Sequence, residues 1–502
     1  MTAIQSRTSR LAVTVESTEG TPVAPSASTE YLALQDDFTM DPAFDTLENA
    51  ELKASLGSSK PVLGAENPTA SFSAYLRGSG VEGQAPDFSE MLEAAFGTET
   101  VVSTERDTVA ASTTTSINVD TGEGSEFPRG RPLLVKNASG GYEMRVVDSV
   151  NSDAISPSFA LSNAPASGVD LGKPVYYTPA DSGHQSLSVW HYAGNGGAVQ
   201  MMSGARVTDI SFEFPAGDLI NASYSLEGLE YFFNPIEIGA SDTYLDFTDD
   251  AGTFAIQITA KMYKDPHEIA AAIQSAMNTA STETHSVTYD DSQGKFTIST
   301  STSSVLSLLW DSGTNTANTV GDKLGFTIAA DDSGSTSYVS DNVVGLASPQ
   351  SPSFDDSDPL AAKSNHLFIG DQDDNVCIDA SSVSVSFSTP RRVIDSICAD
   401  SGRSGSIINA RTVTVSVTAL LNQYDVDKFR RFREGSQTRL QYGFGSKSGG
   451  NWVPGKCGVL YLPTTTITSH SITDDDGLFV LNAEFTAYVD SDGNGEVYLG
   501  FL

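Results

Sequence analysis

The 502-residue chain has few of the residues on which disulfide or metal frameworks depend. Its three cysteines, Cys377, Cys398 and Cys457, show no CxxC spacing, which excludes a zinc ribbon and favours a reducing compartment. The six histidines are scattered and form neither HxH nor HExxH. We therefore expect no metal site and no cofactor.

Basic residues are also scarce, because 28 lysines and arginines stand against 64 aspartates and glutamates, a formal net charge of −36. This balance excludes a broad basic surface for nucleic acid or anionic lipid. No apolar run approaches about 18 residues, which predicts that the chain has no membrane span. The first residues lack the apolar core of a signal peptide, so no export signal is expected.

Motifs of catalysis and nucleotide binding are missing or incomplete. The GxGxxG match at 78–83 ends before Pro86 opens a predicted helix, whereas a dinucleotide fingerprint needs its third glycine inside that helix. Segment 490–495 copies half of an EF-hand loop, but its twelfth position would be Phe501. We interpret both as loops, with adventitious calcium as the alternative for the second, and predict a protein that is not an enzyme.

Short alternating segments separated by Gly, Asp, Ser and Pro are abundant. Residues 70–76, 382–387 and 411–420 alternate apolar and polar side chains, which is typical of antiparallel strands with one buried face. In 206–214 the alternation breaks near Asp209, where a β-bulge would restore the phase. The sequence therefore predicts a mainly β fold.

Three helices are predicted within this β background, at 87–96, 266–277 and 425–433. Each carries apolar residues at helical spacing. Asp265 is placed to cap the second helix, and Gly97 to end the first.

The same order of predicted strands and helices occurs twice along the chain. Two strands around a long loop, a helix and a hairpin occupy 36–96 and 206–226, and the same order recurs at 382–489. We interpret this as a duplicated β-β-α-β-β module. Chance similarity between generic β patterns remains the alternative, because the identity between the copies is low.

Several segments carry a resemblance to a known family. The segment 15–25 (VESTEGTPVAP) resembles the extended N-terminal arm of the major tail tube proteins of phages with long non-contractile tails. Segments 52–64, 70–78 and 86–97 resemble that family's first strands, long loop and helix, and 204–229 resembles its closing hairpin. The second module looks like a further tube domain fused in tandem.

This resemblance implies two tandem antiparallel β-sandwich tail-tube domains, each with a flanking helix, plus a small inserted β-barrel-like domain and a small inserted α+β domain. The expected organisation is an extended N-terminal arm at 1–35, a first tube domain at 36–99 and 180–240, an inserted β domain at 100–179, an inserted α+β domain at 241–345, a linker at 346–375 and a second tube domain at 376–502. We expect the proline-containing arm to lie outside the core.

The function implied by the resemblance is that of a structural virion protein, the major tail tube subunit. Trimeric rings with pseudo-sixfold symmetry would stack around an acidic lumen that conducts phage DNA during ejection. The implied partners are other copies of the chain, a tape measure protein inside the tube and terminator and tip proteins at its ends, with no membrane. The expected location is the virion tail, assembled in the host cytoplasm.

Two other functions are alternatives to the tube. A minor virion component, such as a decoration, tail-tip or fibre protein, is the first alternative. An acidic enzyme or carbohydrate binder would need an aromatic pocket, but Trp190, Trp310 and Trp452 fall in different segments.

One basic cluster departs from the acidic background. It consists of Lys428, Arg430, Arg431, Arg433 and Arg439. Arginine is favoured in interfacial ion pairs, so these residues are candidate contacts with an acidic face of a neighbouring copy. A solvated helix face is the alternative reading.

Overall fold

A computed structural model describes residues 5–51, 59–136, 141–194, 197–344, 349, 351–354, 357–363, 365–374, 376–399, 401–421, 434–490 and 495–502. These residues form a mainly β protein with large antiparallel sheets, as the sequence predicts. The described α-helices are α1 at Ser89–Phe96 and α2 at Pro266–Ala280, which confirms two of the three predicted helices. The third, at 425–433, lies outside the described residues.

The strands up to residue 237 are β1 Arg10–Val15, β2 Tyr31–Leu32, β3 Thr39–Asp41, β4 Phe44–Leu47, β5 Val62–Glu66, β6 Thr69–Tyr75, β7 Gly97–Val101, β8 Ile117–Asn118, β9 Pro132–Lys136, β10 Tyr142–Asn151, β11 Ala154–Pro157, β12 Val175–Pro179, β13 Leu187–Ala193, β14 Ala198–Pro215, β15 Asn221–Glu227, β16 Glu230–Phe233 and β17 Ile236–Glu237. The later strands are β18 Tyr244–Asp249, β19 Gly252–Gln257, β20 Met262–Tyr263, β21 His285–Asp290, β22 Lys295–Thr300, β23 Leu306–Leu308, β24 Asp332–Ser335, β25 Ser337–Val339, β26 His366–Gly370, β27 Ala380–Ser388, β28 Arg391–Asp395, β29 Arg403–Ile408, β30 Thr412–Leu420, β31 Thr438–Ser448, β32 Asn451–Asp475, β33 Leu478–Ala487 and β34 Tyr498–Phe501.

Both described helices have the ends that their sequences predict. Gly97 follows α1 in the left-handed region at φ 96°, where its N–H donates to the carbonyl of Glu93. At the start of α2, the Asp265 carboxylate accepts a 2.9 Å hydrogen bond from the N–H of Glu268. Pro266 occupies the first turn, where no helical partner for its nitrogen is needed.

Eight antiparallel strand segments lie side by side in the order β3, β6, β15, β14, β27, β30, β33 and β32. We call this run the eight-stranded sheet. Its first four strands precede residue 228 and its last four follow residue 379. Within each half, the four strands can be numbered by their place in the sheet. In both halves the chain forms the first strand, then the second, then the fourth and finally the third.

The two long strands, β14 and β32, bend in the same way. Each contributes its C-terminal part to the eight-stranded sheet and its N-terminal part to a second layer, where β14 pairs with β13 and β32 pairs with β31. The pairing of β14 with β15 shifts register between Val207 and Asp209, which confirms the predicted bulge. The pairing of β32 with β33 shifts between Ile467 and Ser469.

One hydrophobic core fills the space between the layers. The eight-stranded sheet contributes alternating residues such as Phe72, Phe212 and Phe485, and the second layer contributes residues such as Val189 and Leu460. Because side chains alternate along a strand, every second side chain points into this core and the others point to the opposite face of the sheet. Helix α1 packs into the same core.

The segment expected to be an arm outside the core lies partly inside the protein, so that prediction is wrong for β1. This strand pairs with β13, and Leu11 and Ala12 are fully buried. The next carboxylate, Glu16, accepts hydrogen bonds from Gly204 N–H and Ser188 Oγ, each at 2.8 Å. Burial raises the pKa of Glu16. The decisive contacts come from residues more than 170 positions away, which no local pattern in the arm reveals.

Two of the further cores belong to regions outside these two layers. Residues between 117 and 171 enclose a small cluster beneath β8 to β11, and residues between 236 and 344 enclose a larger one around α2. Strand β12, which the expected boundary at 179 assigns to the inserted β domain, instead pairs with β7 and β34 of the large sheet.

Candidate functional site

The face of the eight-stranded sheet that points away from the core is covered with small polar side chains. We call it the hydroxyl face. Its strands contribute Ser71, Ser73, Ser211, Ser223, Ser225, Ser382, Ser384, Ser386, Ser388, Thr412, Thr414, Ser416, Thr418, Ser469, Ser471, Thr473, Asn482 and Thr486. Many of these groups bond to one another across strands, as Ser73 Oγ does with Ser223 Oγ at 3.0 Å and Thr418 Oγ1 with Asn482 Oδ1 at 2.9 Å. The result is a polar surface whose hydroxyl groups are linked from strand to strand.

The formal charge of the hydroxyl face is negative. Its acidic members are Asp41, Asp209, Glu213, Glu227 and Glu484. The strand segments 39–41, 69–75, 209–215, 221–227, 380–388, 412–420, 466–475 and 478–487 contain no lysine or arginine. Burial raises the pKa of Asp209, whose carboxylate accepts from Ser386 Oγ at 3.4 Å. A polyanion near this surface would meet like charges and few hydrogen-bond donors that carry positive charge.

The two edges of the eight-stranded sheet are open among the described strands. Strand β3 pairs with β6 alone, and residues 466–475 of β32 pair with β33 alone. Segment 466–475 contains neither proline nor lysine, the residues that most often protect an edge. A long edge without these residues can be extended by another strand.

The two halves of the eight-stranded sheet meet where β14 pairs with β27, and we call this contact the internal seam. Strand β14 corresponds to β32, so the seam shows the edge of β32 as it would be if another strand paired with it. There β14 pairs with β27, from Asp209 opposite Ser388 to Pro215 opposite Ser382. Phe212 lies three residues after the bulge of β14 and is 1 % exposed. Ile472 lies three residues after the bulge of β32 and is 48 % exposed. Strand β27 pairs beside the first residue, whereas no described strand pairs on that side of the second.

Two hairpins project from one end of the sheet. They are β4–β5, inserted between β3 and β6, and β28–β29, inserted between β27 and β30. Arg403 binds them together, donating to Asp45 Oδ2 at 2.8 Å and to the carbonyl of Glu66 at 2.5 Å. Both hairpins expose large apolar side chains, namely Phe44, Leu47, Val62, Leu63, Ile394 and Ile407.

The predicted basic cluster is only partly within the described residues. Arg439 lies in β31, and its guanidinium binds Asp148 Oδ2 and the carbonyl of Ser158, each at 3.2 Å. These contacts hold the 117–171 region against the second half within one chain. The other members, Lys428, Arg430, Arg431 and Arg433, lie outside the described residues.

The glycine-rich motif at 78–83 allows its backbone to pack closely against the backbone around Gly455. Gly78 packs on the carbonyl of Gly455, where any side chain would collide, and the N–H of Gly80 donates to that carbonyl at 3.0 Å. In the EF-hand-like segment, Asp490 binds Arg129, and residues 491–494 lie outside the described part.

A serine, a histidine and an aspartate meet in the 236–344 core without the geometry of a catalytic triad. Ser281 Oγ donates to Asp249 Oδ2 at 2.5 Å rather than to the histidine. His285 Nε2 lies 3.3 Å from the same oxygen, and both side chains of this pair are fully buried. Burial lowers the pKa of His285, so the neutral ring is favoured. A nucleophile needs its base within hydrogen-bond reach and an opening for substrate.

Across the described ranges, no three His, Cys, Asp or Glu side chains are grouped in a way that could hold a metal ion. Neither α1 nor α2 is long and apolar enough to cross a membrane, and the same holds throughout the part of the chain that the structure describes.

Comparison with known proteins adds no further assignment. No protein-family model matches the chain, and no curated protein is significantly similar to it.

Sequence reasoning missed the members of the hydroxyl face and the two edges. The alternating strands themselves carry the signal for the face, because each polar position between two buried residues points away from the core. The edges have no such signal, since pairing depends on which strands become neighbours.

Proposed function

We propose that this chain is a structural subunit that closes into a ring through the edges of its eight-stranded sheet. The function that fits best is the major tail tube subunit of a phage with a long non-contractile tail. In this proposal the tandem halves are two tube domains, three chains complete a pseudo-sixfold ring, and the hydroxyl face lines the lumen.

The internal seam is the observation that carries this proposal. Each half contributes four strands in the same spatial order and the same chain order, with a bulge at the same place in its long strand. The seam already joins the last strand of one half to the first strand of the next. Repeating that contact between chains pairs the open edge of β32 with the open edge of β3. Closed rings remove such edges, whereas a free edge invites aggregation.

The seam also predicts the register between chains. The pair Leu76 N–H to Ile220 O corresponds to Leu421 N–H to Phe479 O, because Leu76 and Leu421 each directly follow their strands, β6 and β30. Six residues before Leu76 and Leu421 are Ala70 and Val415, which therefore correspond to each other. Ala70 pairs with Met40 and Val415 pairs with Val385, so Met40 and Val385 also occupy corresponding positions.

At the seam, Val385 lies opposite Phe212. In the ring, Met40 of one copy would lie opposite Ile472 of the next, covering its exposed side chain. One position along, Asp41 would lie opposite Ser471, as Ser386 lies opposite Ser211 at the seam.

The hydroxyl face suits a channel through which DNA slides. Proteins hold DNA mainly by contacts between basic side chains and phosphates, with release of counterions. A wall of hydroxyl and carboxylate groups offers none of these contacts, so it would repel the backbone weakly and leave the duplex free to move. The proposed partners inside and at the ends of the tube, a tape measure protein and terminator and tip proteins, follow from this role.

Register-specific cross-linking tests the ring. The variant D41C/S471C, made in a C377S/C398S background, is expected to form disulfides between neighbouring copies on mild oxidation. Directly opposed residues in an antiparallel pair have Cα atoms about 4.5–5.5 Å apart, within reach of a disulfide. Non-reducing gels should show a ladder that ends at the closed trimer, and electron microscopy of the concentrated protein should show rings.

The matched control is D41C/S469C, in which the second cysteine is on the same face but two residues out of register. Its cross-linking yield should be several-fold lower. Equal yields from both pairs, or a monomer from both at high protein concentration, would reject the proposed ring. Few copies per virion instead of dozens would favour a minor virion component.

A further inference from the structure

The sheet end opposite the two hairpins has two corresponding corners. The corner of the first half is covered by segment 357–362 of the same chain. Leu360 N–H donates to Leu76 O at 2.8 Å, and Ile220 N–H donates to Leu360 O at 2.9 Å. Leu360 therefore joins the end of β6 to the start of β15, and all three residues are buried.

The corner of the second half has the same framework without this cover. Leu421 N–H donates to Phe479 O at 3.0 Å, as Leu76 N–H does to Ile220 O in the first half. Among the described residues no hydrogen bond joins Phe479 N–H to Leu421 O, and the Phe479 side chain is 61 % exposed. We call Leu421 and Phe479 the open corner.

The second layer identifies the counterpart of segment 357–362. Strand β1 pairs with β13 in the first half, and β26 pairs with β31 in the second. Val189 in β13 lies opposite Met202, and Leu440 in β31 lies opposite Leu462. Met202 and Leu462 lie at the same distance before the bulges of β14 and β32, so Val189 corresponds to Leu440.

The correspondence continues into β1 and β26 and from there to the N-terminal residues. The residues that pair with this corresponding pair are Val13 in β1 and Ile369 in β26. Nine residues before these positions are Ile4 and Leu360. The two stretches read IQSRTSRLAV and LAAKSNHLFI, and both have a branched apolar residue at the first position and a basic residue at the fourth.

We infer that Ile4 of one copy occupies the open corner of the neighbouring copy in the same ring. Leu360 precedes the second half of the sheet and covers the corner of the first half, to which the second half is joined at the seam. Ile4 precedes the first half, which in the ring would be joined to the second half of a neighbouring copy. Repeating the seam therefore places Ile4 between Leu421 and Phe479 of that neighbour. This inference rests on the proposed ring and adds a contact that the edge strands do not make.

The backbone groups of the open corner fit this occupant. By the pattern of Leu360, Ile4 N–H would donate to Leu421 O, and Phe479 N–H would donate to Ile4 O. The Ile4 side chain would remove Phe479 from water, as Leu360 shares one core with Ile220. Burial of apolar surface supplies the driving force for such a contact.

Charge and exposure favour the same contact. The turn between β32 and β33 carries exposed Asp474 and Asp476. Arg7 is exposed and lies three residues after Ile4, so it would bring a positive charge to this acidic turn. In the single chain Ser6–Thr8 form one turn of 3-10 helix with no buried residue, so no packing holds them away from the site.

Cross-linking of I4C/F479C, in the C377S/C398S background, tests the contact. Mild oxidation is expected to give a ladder on non-reducing gels that ends at the closed trimer, as for D41C/S471C. The matched control is T8C/F479C, whose first cysteine lies four residues, or up to about 13 Å, further along the same segment. A disulfide needs Cα atoms within about 7 Å, so the control yield should be several-fold lower.

Single substitutions give a second readout. I4S and F479S should each raise several-fold the protein concentration at which half of the rings dissociate, whereas I4V and Q5S should leave it unchanged. Analytical ultracentrifugation over a dilution series measures this concentration. Because Phe479 is exposed in the single chain, F479S should leave the unfolding of the unassembled protein unchanged.

The outcomes separate this inference from the ring on which it rests. If D41C/S471C gives the trimer ladder but I4C/F479C cross-links no better than T8C/F479C, the open-corner contact is overturned while the ring stands. A disulfide within single chains of I4C/F479C would also overturn it, because the occupant would then be the chain's own N-terminal segment. If D41C/S471C gives no ladder, the ring proposal fails and this contact falls with it.

Discussion

Residues 209–215 of β14 and 469–475 of β32 follow the same path after the same bulge, yet their surroundings differ. The first segment lies between two strands in the middle of the eight-stranded sheet, and the second forms its edge. Phe212 is consequently a core residue, while its counterpart Ile472 is half exposed. The comparison teaches that corresponding positions of the two halves differ in burial where their surroundings differ.

The largest expected effect tests this comparison directly. Phe212→Ala should lower the free energy of unfolding of the unassembled chain by about 3–5 kcal/mol, because it leaves a cavity in a sealed core. Ile472→Ala should cost less than about 1 kcal/mol under the same conditions, because water already reaches that side chain. Urea unfolding of both variants at low protein concentration measures the difference. Equal losses of stability would contradict the description of Phe212 as buried and Ile472 as exposed.

A second prediction concerns the second layer of strands, which the 117–171 region covers in the second half of the protein. In the second half, β10 of the 117–171 region lies against β32, and largely buried His366 accepts a hydrogen bond from Trp452 Nε1 at 3.2 Å. Burial lowers the pKa of His366 to about 3, with Lys447 and Arg145 adding repulsion. Because the folded pKa lies below the unfolded value near 6.5, the unfolded chain binds more protons between these limits, and stability falls as the pH falls.

The expected loss from His366 approaches about 1.4 kcal/mol per pH unit below pH 6.5, or about 2–3 kcal/mol at pH 4.5. His366→Gln keeps an acceptor for Trp452 but cannot be protonated. Urea unfolding at pH 6.5 and pH 4.5 should therefore show a smaller decrease for H366Q than for the parent chain. Parallel decreases in the two proteins would contradict a neutral, buried His366.

The smallest effect extends the comparison to a region with its own core. Asp265→Ala removes the cap of α2 and should cost about 1 kcal/mol. The loss should appear only in the thermal transition of the 236–344 region, because its core is separate from the core between the two layers. Asp265→Asn, which retains a capping oxygen, is the control. A uniform shift of every transition by D265A would argue against an independent core.

The regular elements could be predicted from sequence because their signals are local. Alternation identified β6, β27 and β30, a broken phase identified the bulge near Asp209, and a capping aspartate followed by proline identified α2. The burial of β1 is not predictable from its own sequence, because its pairing with β13 is non-local and two nearby prolines favour an arm. The hydroxyl face could have been read from the alternation, whereas the open edge and open corner depend on neighbours that only the folded chain reveals.

Each long strand belongs to the eight-stranded sheet and to the second layer at once. Peeling β14 or β32 from one layer would pull on the hydrogen bonds of the other, because a single backbone runs through both. The layers are therefore expected to open together rather than fray one after the other. A wall assembled from such subunits would resist partial rupture under internal pressure, since no thin sheet within it can detach alone.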